Sequence, residues 1–167
     1  MWGSHTQGHR LLRKTWCIVM IQKATNKILV TNIDAVPIEN LAKQGAKDVK
    51  VQYLIDERHG SNLFALRLYA VPKGGHTPLD QHEYEHQVYV LSGRGLLREA
   101  EQDRSVLREL HPGDAVFVPS NAIHQFINEH DEPFEFLCVK ANPKLYHTDL
   151  VGNTSDARSE DPSRKYC

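Results

Sequence analysis

The sequence is poor in cysteine. Its 167 residues contain only Cys17, Cys138 and Cys167, and no two of these are close together. Such wide spacing excludes a disulfide framework, and the absence of a CxxC pair excludes the usual cysteine pattern of a structural zinc site. A chain with so few cysteines is typical of a reducing compartment, so we expect a cytoplasmic protein.

Long apolar runs and an excess of one charge are also missing. The longest uncharged apolar stretch is Trp16–Ile21, whereas a helix that crosses a membrane needs about 20 such residues. The 20 lysines and arginines balance 21 aspartates and glutamates, and no basic cluster marks a surface for nucleic acid. The composition therefore predicts a protein that binds neither membranes nor nucleic acid.

The two ends of the chain differ from its middle. Residues 1–19 begin with a short Gly/Ser/His segment and show no clear period, which predicts an extension that is disordered or foreign to the natural protein. Residues 152–167 are polar and almost free of large apolar side chains, a composition typical of a disordered tail. We therefore expect a single folded domain over residues 20–151.

Short strands separated by turn signals fill this domain. Strands are predicted at Val49–Ile55, Leu63–Val71, Gln87–Ser92, Leu96–Ala100, Val106–Leu110, Ala115–Val118, His124–Ile127 and Phe134–Lys140. Turn segments such as PKGG and HPGD separate them, and so many short strands predict an all-β sandwich or small barrel. One short helix is predicted over Ile38–Lys43, because Pro37 precedes it and Gly45 follows it.

Three side chains that can bind a metal ion occupy even-numbered positions just before one of these strands: Asp80, His82 and His86. Side chains of equal parity in an extended chain point to one face. The same parity continues to Val88 and Val90, whose β-branched side chains suit a barrel interior. We therefore expect the three side chains to point inward, where His124 from a later strand could close the site.

Two sequence motifs resemble those of the cupin superfamily. The first, G-x5-D-x-H-x3-H-x6-G, runs from Gly74 to Gly93, and the second, G-x5-P-x-N-x2-H-x3-N, runs from Gly113 to Asn128. They stand in the usual order, and the flanking strands extend the resemblance to about residues 49–140. The resemblance implies a double-stranded β-helix, a jelly-roll-like β-barrel, with a divalent iron, manganese, zinc or nickel ion inside.

The first motif departs from the superfamily pattern at two positions. Asp80 stands where the first histidine of an HxH pair is usual, and His86 stands where glutamate is usual. The metal could therefore be held by three imidazoles and one carboxylate, or by three imidazoles alone. Glu85 could replace the missing acid, but its odd parity points it away from His82 and His86.

Three classes of function are compatible with such a site. The resemblance implies a metal-dependent oxidoreductase, of dioxygenase type, because related small cupins often oxidise or cleave small organic substrates. A metal ion that acts as a Lewis acid would instead support a lyase, an isomerase or a cyclase. Cupins also serve as non-catalytic modules that bind small molecules, and the fold alone does not decide among the three.

Three further residues are candidates for contact with a small-molecule substrate: Arg67, Tyr69 and Tyr84. Arg67 and Tyr69 share one parity of the predicted strand Leu63–Val71 and would supply polar contacts if that face lines the cavity. In the alternative, Arg67 is a surface charge on an edge strand. Tyr84 has the parity of the metal ligands and would border the opening of the barrel.

An apolar outer face predicts a partner. If Val88 and Val90 face inward, Tyr89 and Leu91 face outward on the same strand. An exposed apolar surface usually requires cover, and the apolar segment Ile28–Val30 of a second copy could provide it. We therefore expect a homodimer.

Overall fold

A computed structural model of the protein describes residues 27–101 and 104–142. The expectations for residues 1–19 and 152–167 lie outside these ranges. The strands are β1 (Glu39–Asn40), β2 (Lys50–Ile55), β3 (Phe64–Val71), β4 (His86–Ser92), β5 (Gly95–Glu101), β6 (Arg104–Leu110), β7 (Ala115–Val118), β8 (Ile123–Ile127) and β9 (Phe134–Ala141). Two 3₁₀-helical turns lie at Ile33–Ala35 and Glu57–His59. None of the helices in the described ranges is long and apolar enough to span a membrane.

All eight predicted strands are confirmed, and their ends differ from the observed ones by at most two residues. The predicted helix over Ile38–Lys43 is wrong. Glu39–Asn40 pairs with β2, and the N–H of Leu41 donates to the carbonyl oxygen of Val49 at 2.9 Å. A helix this short leaves most of its backbone groups without partners, so pairing with the neighbouring strand satisfies the segment better.

The strands form two antiparallel sheets. The larger has the order β1-β2-β3-β9-β4-β7, and the smaller has the order β6-β5-β8. The segment between β3 and β4 links them through isolated bridges, in which His76 pairs with Lys47 and Ile127, and Asp80 pairs with His124. The backbone hydrogen bonds therefore do not close one continuous barrel, which corrects the closed form expected above, because this linking segment forms turns rather than a strand ladder.

Side chains from both sheets meet in one hydrophobic core. Strand β4 shows the pattern most clearly, since Val90 is 0% exposed and its neighbour Tyr89 is 49% exposed. The rings of Phe134 and Phe136 of β9 are tilted against each other with centroids 5.0 Å apart, and the ring centroid of Phe126 of the smaller sheet lies 4.9 Å from that of Phe136. The inward direction predicted for the even-numbered residues of β4 is confirmed, and His86, the first residue of that strand, shares it.

Candidate metal centre

Three histidines, one from each sheet and one from a loop, converge inside the fold. His82 lies in the loop before β4, His86 begins β4, and His124 lies on β8. One ring nitrogen of each lies within 4.8 Å of the others, and Nε2 of His86 is 3.0 Å from Nε2 of His124. Two nitrogens bound at right angles, each about 2.1 Å from one ion, would be about 3 Å apart. The donor set therefore fits a shared metal ion.

Each ring is oriented by an acceptor near its Nδ1 atom. These acceptors are the carbonyl oxygen of Tyr84 at 2.6 Å from His82, that of Ala122 at 2.9 Å from His124, and Sγ of Cys138 at 3.4 Å from His86. The tautomer with a proton on Nδ1 satisfies all three acceptors. It leaves Nε2 of each ring as the atom that can bind a metal ion.

All three imidazoles favour the neutral form. Burial lowers the pKa of His86 to about 3, and the neighbouring rings of His124 and His82 add to the effect. Burial also lowers the pKa values of His82 and His124, although the hydrogen bonds to carbonyl oxygens oppose this. Because a metal ion binds the unprotonated ring, the three side chains are ready to accept one at neutral pH.

Asp80 lies beside this group, but its carboxylate binds another residue. Oδ2 of Asp80 forms an ion pair with Lys43, while its backbone N–H and carbonyl oxygen pair with His124 at 2.9 and 3.0 Å. Burial disfavours the charged carboxylate, yet the hydrogen bond and charge of Lys43 bring the pKa of Asp80 below its usual value. Glu85 is exposed, and within the described ranges the metal-binding group consists of the three histidines alone.

A cavity of about 540 Å³ opens over the histidines. Its wall is largely aromatic and apolar, and includes Tyr53, Phe64, Phe126 and Phe136. The three residues expected to contact a substrate, Arg67, Tyr69 and Tyr84, all line it. The odd-numbered face of β3 therefore faces the cavity, and Arg67 is not a surface charge. The volume is in the range of pockets that bind small organic molecules.

Sequence reasoning did not identify Lys140 of β9 as a residue of this wall. Nζ of Lys140 lies 3.4 Å from the hydroxyl oxygen of Tyr84 and 4.9 Å from the centre of its ring. Burial, aided by the charge of Arg67, lowers the pKa of Lys140 to about 8. The signal was present in the sequence, since Lys140 has the same parity as the buried Phe136 and Cys138.

Comparison with known proteins places this fold in a family. Residues 67–140 match the family model described as "Cupin domain". A polyketide cyclase from Streptomyces resistomycificus is 32% identical, with a TM-score of 0.64 over 69% of this chain and 80% of that one. A cupin-2 domain protein from Rhodospirillum rubrum is 27% identical, with a TM-score of 0.57 over 68% of this chain and 74% of that one. The chain belongs to the cupin superfamily.

A further relative is the 1-methylthio-D-xylulose 5-phosphate methylsulfurylase of Rhodospirillum rubrum. It is 39% identical over 74 residues, which are 44% of this chain and 45% of the relative. The chain therefore spans a little less than half of that protein.

Proposed function

We propose that this protein is a metal-dependent enzyme that acts on a small organic substrate bound in the cavity over His82, His86 and His124. The observation that carries the proposal is the convergence of three neutral imidazoles, within 4.8 Å of one another, on a cavity of about 540 Å³. Three protein ligands leave at least one position of a four- or six-coordinate ion for water or substrate.

A Lewis-acid reaction, such as a cyclisation, an isomerisation or a lyase reaction, is our first candidate. The three donors are uncharged, so a bound divalent ion would keep its full charge and supply Lewis-acid chemistry to a substrate oxygen or a bound water. The similarity to a polyketide cyclase, at 32% identity over 80% of that chain, supports this choice.

A dioxygenase, expected from the sequence, is the second candidate. The cavity of about 540 Å³ is large enough for a substrate together with dioxygen. The donor set favours it less, since non-haem iron oxygenases commonly combine two histidines with a carboxylate. Among the described residues, the group of three histidines includes no carboxylate.

Arg67, Tyr69 and Tyr84 are the side chains that we propose to contact the substrate. The ring of Tyr84 stacks on His82 with centroids 3.9 Å apart, so its position is fixed relative to the metal ligands. Burial raises the pKa values of Tyr84 and Tyr69. Both phenols therefore stay protonated near neutral pH and can donate hydrogen bonds to substrate oxygens.

Metal analysis of the purified protein tests the first half of the proposal. After chelator treatment and reconstitution with Zn(II), Mn(II), Fe(II), Co(II) or Ni(II), we expect one ion per chain for at least one metal. His124→Ala should abolish this binding, and the exposed His111→Ala should not. Equal metal content in both variants, or none in the natural protein, would rule out the three-histidine site.

The second half is tested with chelating probes on the Co(II) form. Catechol and 2,4-pentanedione should change its visible spectrum if the ion keeps an exchangeable position. Oxygen uptake by the Fe(II) form with catechol would favour the dioxygenase. Conversion of a diketone probe by the Zn(II) form without oxygen would favour Lewis-acid catalysis. A spectrum that no probe alters would indicate a structural metal site and would end the enzymatic proposal.

A further inference from the structure

Two cationic side chains lie side by side in the cavity wall next to the histidines. Arg67 of β3 and Lys140 of β9 are on adjacent paired strands, where Arg67 lies opposite Cys138 and Lys140 lies opposite Ala65. Both charges act on His86 and help to keep its ring neutral. The pair is therefore within electrostatic reach of the proposed metal centre.

Neither cation has an acidic partner. Across residues 27–101 and 104–142, no carboxylate lies within ion-pair distance of Arg67 or Lys140. The cavity's carboxylates are Asp56, Glu57 and Asp80; Asp56 and Asp80 pair with Arg58 and Lys43, and the charge of Asp80 acts on Lys140 only from beyond ion-pair distance. Two like charges at a partly buried wall repel each other and lose hydration, which is unfavourable without an anion nearby.

The polar contacts of the two side chains are also incomplete. One guanidinium nitrogen of Arg67 donates to Sγ of Cys138 at 3.2 Å, while the Nε atom of Arg67 is buried and has no acceptor among the described residues. The guanidinium lies over the ring of Tyr69, 5.1 Å from its centre, and within the same ranges the ammonium group of Lys140 contacts the ring and hydroxyl of Tyr84. These neighbours are weak acceptors, so a ligand oxygen would be a stronger partner for both cations.

We propose that Arg67 and Lys140 bind the carboxylate of an organic substrate whose hydrophobic body lies against the aromatic wall. This inference rests on the proposed function, because it names the class of substrate for the same cavity. A carboxylate suits the site better than a phosphate, since the wall is mostly aromatic and apolar and a phosphate requires more donors. The arrangement holds the substrate by its charged end and leaves its other oxygens facing the histidines.

The test compares benzoate with benzamide, a neutral molecule of nearly the same shape, on the metal-free full-length protein. Affinities are measured by ligand-observed NMR titration. We expect benzoate to bind at least about tenfold more tightly, a difference of about 1.4 kcal/mol. Arg67→Met and Lys140→Met should each remove most of this preference. Lys73→Met, a control at an exposed lysine that pairs with Asp131, should leave it unchanged.

Charge-conserving variants guard against a folding defect. If Arg67→Met fails to fold, as judged by circular dichroism, Arg67→Lys and Lys140→Arg should fold and retain the preference for benzoate. Equal affinity for benzoate and benzamide, or no binding of benzoate, would overturn the proposal. Inorganic phosphate that binds more tightly than benzoate, and loses affinity in the same variants, would overturn the choice of a carboxylate.

The outcome is separable from that of the metal proposal. Benzoate binding is measured without metal, so a failed metal site would not abolish it. In turn, we expect Arg67→Met and Lys140→Met to bind one metal ion per chain as the natural protein does. Loss of the metal in these variants would mean that they act through the histidines and would contradict a separate anion site.

Discussion

Asp80 and His86 both occupy positions of the first cupin motif, yet their side chains have different partners. Nε2 of His86 meets Nε2 of His124 at 3.0 Å, while the carboxylate of Asp80 binds Lys43. This ion pair lies two residues before His82, on the loop that carries it. We therefore expect Asp80 to help position this loop rather than to bind the metal.

Replacing Asp80 should then cost little metal affinity. We expect Asp80→Asn to weaken binding by no more than about tenfold, the lower end of the effect of groups that support a metal ligand. His124→Ala should abolish stoichiometric binding, because it removes one of three donors. Equilibrium dialysis with Zn(II) measures both variants, with the exposed Glu85→Gln as a control. An equal loss in Asp80→Asn and His124→Ala would identify Asp80 as a ligand.

Protonation of His86 should make the stability of the metal-free protein depend on pH. Its pKa is about 3 in the folded chain, against 6.5 for the free side chain. Above pH 6.5 the ring is neutral in both states and adds no pH dependence. As the pH is lowered from 6.5 to 3, this imidazole takes up a proton only in the unfolded chain. The free energy of unfolding therefore falls by about 1.4 kcal/mol for each pH unit of acidification.

Urea titrations at pH 7.5 and 5.5 measure this effect. We expect the metal-free protein to lose at least about 1.4 kcal/mol over this interval, since burial lowers the pKa values of His82 and His124 in the same direction. His86→Asn should remove the share that belongs to His86. A free energy of unfolding that is equal at the two pH values would show that the rings are protonated in the folded protein.

Among the elements, strands could be predicted from the sequence and long-range pairing could not. Alternation of apolar and polar residues gave strands such as Phe134–Ala141 to within two residues, because one face of each strand is buried. The same parity indicated His82 and His86. The pairing of Asp80 with Lys43 was not predictable, since Lys43 lies in the segment wrongly predicted as a helix.

The closing residues of the two motifs have structural roles that their spacing did not indicate. Gly93 has φ of 69°, and a Cβ there would lie 2.0 Å from the carbonyl oxygen of Pro133. Asn128 is fully buried and donates to the carbonyl oxygens of Val71 and Glu132, both at 2.8 Å. These two positions hold the loops at the end of the sheets, while the histidines between them form the site.

Strand β5 depends on a close approach to β9 at Gly95. A Cβ at this position would lie 2.3 Å from Cδ1 of Phe134, whose side chain is fully buried. The ring cannot move without displacing the core, so we expect Gly95→Ala to lower the free energy of unfolding by about 1–3 kcal/mol. The loss caused by Gly95→Ala should be smaller in a protein that already carries Phe134→Leu. If urea titrations show that the two substitutions have strictly additive effects, the contact is contradicted.

At the scale of the whole molecule, the larger sheet leaves an apolar outer face. Tyr89 of β4 and Phe117 of β7 are 49% and 56% exposed, and the pairing of the two strands places them on the same side. At the start of the described chain, Ile28 and Val30 are 95% and 87% exposed. If residues 27–30 of a second copy packed against this face, both apolar surfaces would be buried. We therefore expect a homodimer formed through this face.

Sedimentation velocity at micromolar concentration should therefore give a dimer. The double substitution Tyr89→Arg with Phe117→Arg should yield a monomer, because it places charge in the buried part of the interface. Ile28→Ser with Val30→Ser should weaken the dimer if this segment provides the cover. Leu107→Arg, at a similarly exposed apolar residue of the smaller sheet, is the matched control and should leave the dimer intact. The prediction is wrong if the unsubstituted protein sediments as a monomer. A monomeric Leu107→Arg variant would indicate that the interface lies on the smaller sheet instead.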